Sequence, residues 1–504
     1  MPCCMAAAAR ASDSAGETAN LKIMRMQAVL TIVLLAATPA VAQLPLSAPA
    51  PSGGEEPSQP LSPAQRPPND TFNGSGLVEK AVPGTLKLSI LDAIDRGLRH
   101  NLGLLLSQEQ TESARAQHRQ VLSALLPNIT GNASESVNQI NLAAFGIPLP
   151  AGLASPVVGP FGLFDVHGSM TETFLDFSAL NRLRASTENQ KAANFTLQDA
   201  RELVVLAVGN QYLLTLANAA RLDTARAQLA TAQAIFQQAE DMKKAGVSAG
   251  IDVLRAQVQM QTRQQRVLAA QNQFEQQKMT LARAVGLQVS QSIELTDKVP
   301  YAPLPELNID EALARAYQRR PEYLAAEARL RSSELEVKAA KGEALPSLQI
   351  NGQYGIIGQT PGSAEQTYNL SGGVKIPIFQ GGRIKADVAQ AETTVRQVHM
   401  QLDDLHNRVE QEVRSSLLDV KTSNEQVTVA RQSIDLAAEQ LKEAQDRYRA
   451  GVSGSLEVVQ SQEAVADANE TYIQALYLNN VAKLSLAYAL GVAEQQAKSF
   501  LGGK

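Results

Sequence analysis

The longest pattern in the chain is a seam of apolar residues spaced alternately four and three apart. Ile384, Val388, Ala391, Val395, Val398, Leu402, Leu405 and Val409 follow it without a break. That is the heptad spacing of one helix lying along another. Val409, Val413 and Leu417 then step by four twice, a stutter that locally unwinds a supercoil. Seven-residue steps return at Val420, Val427, Ile434, Leu441 and Tyr448. The spacing predicts one helix from about Gly382 to Ala450, roughly 100 Å long at 1.5 Å per residue. No compact globule buries such a rod. A turn at Gly451 and a returning helix from Leu456 to Leu490, closed by Gly491, complete a helical hairpin. A comparable hairpin runs from about Ser178 to Lys244, turns at Gly246, and returns from Ile251 to Val285 before Gly286.

Ahead of the second hairpin the period changes to two. Leu348, Ile350, Gly352, Tyr354 and Ile356 fall on one face, and Gln349, Asn351, Gln353 and Gly355 on the other. After a Gly/Pro-rich turn at Gln359–Gly362, Tyr368, Leu370, Gly372, Val374, Ile376 and Ile378 share a face opposite Asn369, Ser371 and Lys375. Strands of about ten residues suit a tilted membrane crossing. The same alternation also describes a half-buried hairpin of a soluble domain. In the first half, Asn128–Ile140 is polar and weakly alternating, and Phe164–Met170 alternates again. The Pro/Gly-rich, apolar stretch Leu142–Gly162 reads as a loop between them. A long loop at one end of the strands and short joints at the other is the asymmetry of outer-membrane barrels. Before the second strand pair, residues 309–344 read as helix, with Pro321 opening a second segment and Pro346 ending it.

The two halves are one plan written twice. Leu88-Ser89-Ile90 before Asp92-Ala93-Ile94 reappears as Leu307-Asn308-Ile309 before Glu311-Ala312-Leu313, a shift of 219 positions (307 − 88). Leu126-Pro127 recurs as Leu345-Pro346 at the same shift. Ala245-Gly246-Val247-Ser248 recurs as Ala450-Gly451-Val452-Ser453 at a shift of 205 (451 − 246). Several landmarks in one order mark two structurally equivalent halves, 85–306 and 307–492, with a tail at 493–504.

Composition narrows the function classes. Aromatics are 4% of the chain and Trp is absent, as in extended helices with narrow seams. A net charge of −5 gives no nucleic-acid-binding face. The two cysteines are Cys3 and Cys4, so no disulfide framework is expected in the body of the protein. Lys22 and Arg25, the apolar run Ala28–Ala37 and Ala40-Val41-Ala42 read as a secretory signal over 1–42, with Gln43 first in the mature chain. Translation from Met24 or Met26 would fit that n-region better. About ten apolar residues are too few to cross a membrane core. Residues 43–84, rich in Pro, Ser and Gly, read as an extended or disordered linker. No other segment is expected to approach an apolar transmembrane helix, so any membrane crossing is by strands.

Four strands cannot close a sheet, and an open edge cannot stand in hydrocarbon. Eight strands from two chains leave an interior filled by side chains, whereas twelve from three leave a lumen. The expectation is a mostly α homotrimer: internally duplicated helical hairpins form an α-barrel joined to a 12-stranded transmembrane β-barrel, four strands per chain. Over residues 85–492 the chain resembles the TolC family of outer-membrane efflux proteins. The most specific carriers are Arg447-Tyr448-Arg449-Ala450-Gly451-Val452-Ser453-Gly454-Ser455-Leu456-Glu457-Val458, its counterpart Ala245–Leu254, and Phe379-Gln380-Gly381-Gly382-Arg383. The first half departs at that last joint, reading Leu175-Asp176-Phe177-Ser178-Ala179. A stiffer joint is expected there. The resemblance implies an equatorial collar drawing on Leu86–Gly97, Thr296–Ile309 and the tail after Gly491. It also implies a periplasmic adaptor and an inner-membrane pump as partners.

No catalytic constellation or nucleotide-binding glycine pattern appears, and no enzyme activity or cofactor is expected. His100, His118, His167, His399 and His406 are scattered; His399 and His406 share a helical face but lack the further ligands a metal needs. The functional candidates are the two turns. As helix ends, Gly246 and Gly451 need be no more than C-caps. Yet each is followed six residues later by an acid, Asp252 and Glu457, and eleven later by a glutamine, Gln257 and Gln462. The resemblance makes Gly246, Val247, Ser248, Gly451, Val452 and Ser453 the adaptor-docking tip. It makes Asp252, Tyr448 and Glu457 the gate, with a Tyr448–Asp252 hydrogen bond holding it shut. Gln460 stands where the family has a second acid, so the acidic ring should be weaker. Two other functions share much of this pattern: a duct for secreted proteins, and a periplasmic coiled-coil scaffold that is no channel.

Overall fold

The computed structural model describes residues 70–76, 79, 83–146, 156–246, 249–297, 301–302, 304 and 307–500. The expected leader 1–42 and most of the linker 43–84 lie outside the described residues, as do Val247 and Ser248 of the first turn. The described residues all belong to one compact unit, Arg66–Lys504.

The element order repeats. The first half runs β1 (Leu86–Leu88), α1 (Ile90–His100), α2 (Leu102–Ser123), β2 (Asn128–Asn141), β3 (Val157–Leu175), α3 (Phe177–Lys244), α4 (Gly250–Ala284) and β4 (Ile293–Leu295). The second runs α5 (Ile309–Arg319), α6 (Pro321–Gly342), β5 (Ser347–Gly358), β6 (Glu365–Lys375), α7 (Arg383–Arg449), α8 (Ser455–Ala489) and α9 (Ala493–Phe500). The long helices are 68 and 67 residues and both return helices are 35. Each return helix ends on a left-handed glycine, Gly286 at φ 75° and Gly491 at φ 67°. In both, the following N–H reaches five residues back, Leu287 to the carbonyl of Ala282 and Val492 to that of Ala487, each at 2.9 Å.

The strands form one antiparallel sheet in the order β2-β3-β5-β6. Its register sorts the side chains. Leu348 lies opposite Val374, Gly352 opposite Leu370 and Tyr354 opposite Tyr368, whereas Asn351 faces Ser371 and Gln353 faces Asn369. Across β3, Val166 meets Ile356 and Ser169 meets Gln353. Successive strand residues point to opposite faces, so one face is apolar and the other polar. Three expectations need correction. The stretch expected as a loop through Gly162 is strand from Val157 onward, because Val157, Val158, Phe161 and Leu163 favour extended backbone. Gly159, at φ 114°, and a bulge between Asn138 and Ile140 accommodate the bend there. At the other end, β6 stops at Lys375, and Ile376 and Ile378 lie beyond it beside Pro377, which has no N–H for a ladder.

The two strand-to-helix joints differ in conformation. In the second half, Gly381 and Gly382 both take positive φ, 59° and 85°. In the first, the Asp176 carboxylate accepts from the Ala179 N–H at 2.9 Å and caps α3.

The main core surrounds the middle of the rods. Val204, Val205, Val208, Tyr212 and Leu213 of α3 and Leu405, Val409 and Val413 of α7 are buried there with Leu281 of α4, Leu484 and Leu486 of α8, and Leu88, Ala93 and Ile94. Here the third correction falls. α3 contains an 18-residue stretch of mean hydropathy 1.4, long and apolar enough for a membrane helix by composition, but 56% of it is buried inside the protein. Its hydrophobicity serves the core around the middle of the rods. β1 and β4 pair in parallel around it, Leu86 beside Ile293 and Leu88 beside Leu295. The Tyr212 hydroxyl donates to Asp297 at 2.8 Å. Arg320, fully buried between α5 and α6, pairs with Glu412 of α7 at 2.6 Å and Glu322 at 2.9 Å, and lies 5.2 Å from the Tyr488 ring.

α9 docks on α3 at this level. Arg201 Nε donates to Glu494 at 2.8 Å, and the Glu494 N–H donates to Glu202 at 3.1 Å. Burial pushes the Glu202 carboxyl from 4.5 up to about 7, with Glu494 and Asp199 nearby adding to the rise. An acid whose pKa is higher folded than unfolded binds more protons when folded. Its contribution is therefore most favourable at low pH and is lost as pH rises from 4.5 to about 7. Thermal unfolding across that window should show stability falling with pH in the native chain. In Glu202→Gln the slope should be shallower; an unchanged slope would remove Glu202 from the linkage.

Candidate functional site

The two helical turns lie side by side at the end of the rods. Gly246 and Gly451 both sit at φ 74°. The Gly451 N–H donates to Tyr448 O and the Val452 N–H to Arg447 O, each at 3.1 Å, which closes α7 with paired caps. Gly246 N–H repeats the inner bond to Lys243 O at 3.0 Å. The glycines are thus explained by the turn itself.

Asp252 occupies the first turn of α4 and Glu457 the first turn of α8, where the positive end of each helix favours a carboxylate. Asp252 Oδ1 accepts a hydrogen bond from Ser455 Oγ at 2.7 Å, joining the two halves of the chain. Arg255 lies 3.7 Å from the same oxygen. Arg447 Nε lies 3.4 Å from Glu457 Oε1, with both side chains about half exposed. Such a pair contributes little to stability, but it partly offsets the negative field that Glu457 alone would raise. Tyr448 is buried with Ala444 and Val458, with Ile235 and Met242 of α3 packed against them. The turns therefore bring Asp252, Tyr448 and Glu457 into one region, held by one small apolar cluster and a few polar bonds.

Sequence reading missed Ser455, Arg447 and an apolar rim. Ile251, Leu254, Val452 and Leu456 are each more than half exposed. Ile251 and Leu456 are equivalent in the repeat, at a shift of 205 (456 − 251), which is the signal that could have found them. Exposed apolar residues grouped at one end mark a surface that meets something else. The histidines take unrelated roles. His118 bonds Ser186, His399 bonds Asp403, and His406 stacks on Tyr317 at 4.2 Å.

A family model described as outer membrane efflux protein matches residues 93–287 and 312–492. The chain belongs to the outer membrane efflux protein family. It is an outer-membrane protein with a TolC-like fold. Among individual relatives, this efflux protein is 26% identical over 324 residues to the pyoverdine export outer membrane protein OpmQ of Pseudomonas putida, covering 62% of this chain and 66% of that one. It is 25% identical to outer membrane protein OprJ of Pseudomonas aeruginosa, covering 81% of this chain and 85% of the relative. The solved structure of outer membrane protein VceC from Vibrio cholerae superposes with a TM-score of 0.69 at 19% identity, covering 80% of this chain and 96% of the other.

A side chain added at Gly451 would meet nothing within 4 Å, so any cost of substitution there comes from the backbone. Gly451→Val should lower stability by about 1–2 kcal/mol through left-handed strain alone. Gly454, at φ −87°, also has open space around it. It is the N-cap of α8, so Gly454→Ala loses only the N-cap preference for glycine and carries no left-handed strain, and it should cost less than Gly451→Val. Amide exchange across residues 445–460 distinguishes them, and equal protection in both variants would refute the strain argument.

Proposed function

We propose that this protein is the passive outer-membrane exit duct of a tripartite efflux system, built from three copies. It carries small molecules from a periplasmic adaptor and an inner-membrane pump to the exterior. The observation that carries this reading is the sheet. β2 and β6 each have one unpaired edge, and β6 is exposed along its whole length. Tyr368 is 81% and Leu370 74% exposed on the apolar face. A hairpin of a soluble domain needs a layer over that face, and no helix among the described residues supplies one. Hydrocarbon on one side, water on the other and neighbouring copies at both edges satisfy every group. Three copies make twelve strands with a lumen, and the helical hairpins then form a continuous α-barrel in the periplasm. A coiled-coil scaffold accounts for the hairpins but leaves the sheet without a purpose. A small-molecule cargo agrees with the export named for the relative OpmQ.

In this reading 85–306 and 307–492 are the two wall-forming repeats, and residues 1–42 and 43–84 are leader and linker. Gly246, Val247, Ser248, Gly451, Val452 and Ser453 form the end that meets the adaptor, with the apolar rim of Ile251, Leu254 and Leu456 beside them. Asp252, Tyr448 and Glu457 form the gate. Three Glu457 carboxylates around one axis raise a focused negative potential that favours cations, reduced by the adjoining Arg447.

Two measurements test the duct. Ile350 lies on the apolar face and Asn351 on the polar one. Arginine at Ile350 should impair assembly of the trimer in the outer membrane, by up to about 2–4 kcal/mol, while arginine at Asn351 is tolerated. Equal tolerance at both sites would sink the barrel. In planar bilayers, the Tyr448→Phe, Asp252→Ala double variant should raise single-channel conductance, since each lost hydrogen bond removes about 0.5–1.5 kcal/mol from the shut state. Glu457→Ala should reduce cation selectivity. No change in either leaves these residues as helix-end groups.

A further inference from the structure

Beyond the Asp252–Ser455 bond at the turns, one carboxylate gathers three further contacts between α4 and α8. Glu463 lies two turns into α8. Gln259 Nε2 donates to its Oε1 at 2.7 Å, Arg263 Nη2 lies 2.8 Å from the same oxygen, and Arg266 Nη1 lies 3.2 Å from Oε2. Gln259, Arg263 and Arg266 are spaced four and three apart, so three successive turns of α4 present one face to a single acid. Arg263 is 2% exposed and also donates to Gln228 Oε1 of α3 at 3.1 Å. A buried guanidinium needs its counter-charge, so this link is costly to break in a way that an exposed pair is not. The link also crosses between the repeats, because α3 and α4 belong to the first and α8 to the second.

We propose that Glu463 is a positioning residue for the gate: it locks the α4 return helix to α8 about 12 Å above the start of α8, a distance set by helix rise, so that the turns cannot separate until this lock opens. The inference rests on the duct reading. It adds a second restraint, deeper in the wall than Asp252–Ser455 and independent of it. The region between the two restraints can spread only when both are released. A partner that pulls the turns apart must therefore also draw Glu463 away from Arg263.

The test uses the full-length trimer in planar bilayers without an adaptor. Glu463→Gln keeps the shape and removes the charge. The expected result is a roughly tenfold rise in open probability, the shift implied by losing one charge-assisted hydrogen bond. The exchange Arg263→Glu with Glu463→Arg, made together with Arg266→Gln so that no like charge faces the new arginine, should restore openings to near the native level, which a general loosening of the wall would not do. Should Glu463→Gln fail to assemble, Gln259→Met leaves every charge in place. A smaller rise in that variant supports the lock, and native behaviour overturns it. If the Tyr448 and Asp252 variants open the pore while Glu463→Gln and Gln259→Met both match the native protein, the lock is wrong and the duct stands. If no variant and no native trimer conducts, the duct reading itself fails.

Discussion

A helix of 68 residues cannot be held along its whole length by the hydrophobic surface of one chain, so it must be clamped somewhere. This protein clamps it at the middle. The segment of α3 from Val204 to Leu216 is buried beneath the short collar elements, and α7 is gripped at the same level through Leu405, Val409 and Val413. Arg320 is fully buried at this waist, its charge met by Glu412 and Glu322. The close packing extends to the backbone. A Cβ on Gly491 would lie 2.7 Å from the Arg320 Cα, so only glycine fits there.

Away from the waist the apolar contacts thin out. Val427, Ala430, Ala475 and Leu476 form one small cluster, and Ala444, Tyr448 and Val458 another nearer the turns. Between and beyond them the repeats are joined by polar groups, among them Arg221–Glu470 at 2.7 Å and Ser455–Asp252 at 2.7 Å. Hydrophobic burial is undirected and hard to undo piecemeal, whereas hydrogen bonds and ion pairs can be exchanged for those of a partner at little net cost. The gradient from apolar waist to polar end places the rigid and the yielding parts of one continuous rod.

Much of this was legible in the sequence because periodicity is a one-dimensional signal. The heptad seam gave α7 and α8 to within about a residue, and the repeat transferred them to α3 and α4. The alternation at Leu348–Ile356 gave both the strand and its faces. What stayed hidden depended on pairing across long separations. Val157–Leu163 contains Gly159, Pro160 and Gly162, so local rules made it loop, and only the ladder with β2 makes it strand. The apolar stretch of α3 could not be assigned to the collar without knowing that β1, α1 and α8 cover it. Ser455 and Arg447 were ordinary turn-flanking residues until the fold set them beside Asp252 and Glu457.

The strand that outran its expected limits also breaks the symmetry of the repeat. Phe164 is the last residue of β3 in the ladder with β5, where it meets Gly358, and the described ladder partners of Val157–Leu163 lie on β2. The first hairpin therefore projects past the second at the end remote from the helical turns. In the barrel proposed above, with its helices in the periplasm, that end would face outward. The two repeats share one sheet, yet they do not contribute to it equally: the ladder of the first hairpin outruns that of the second.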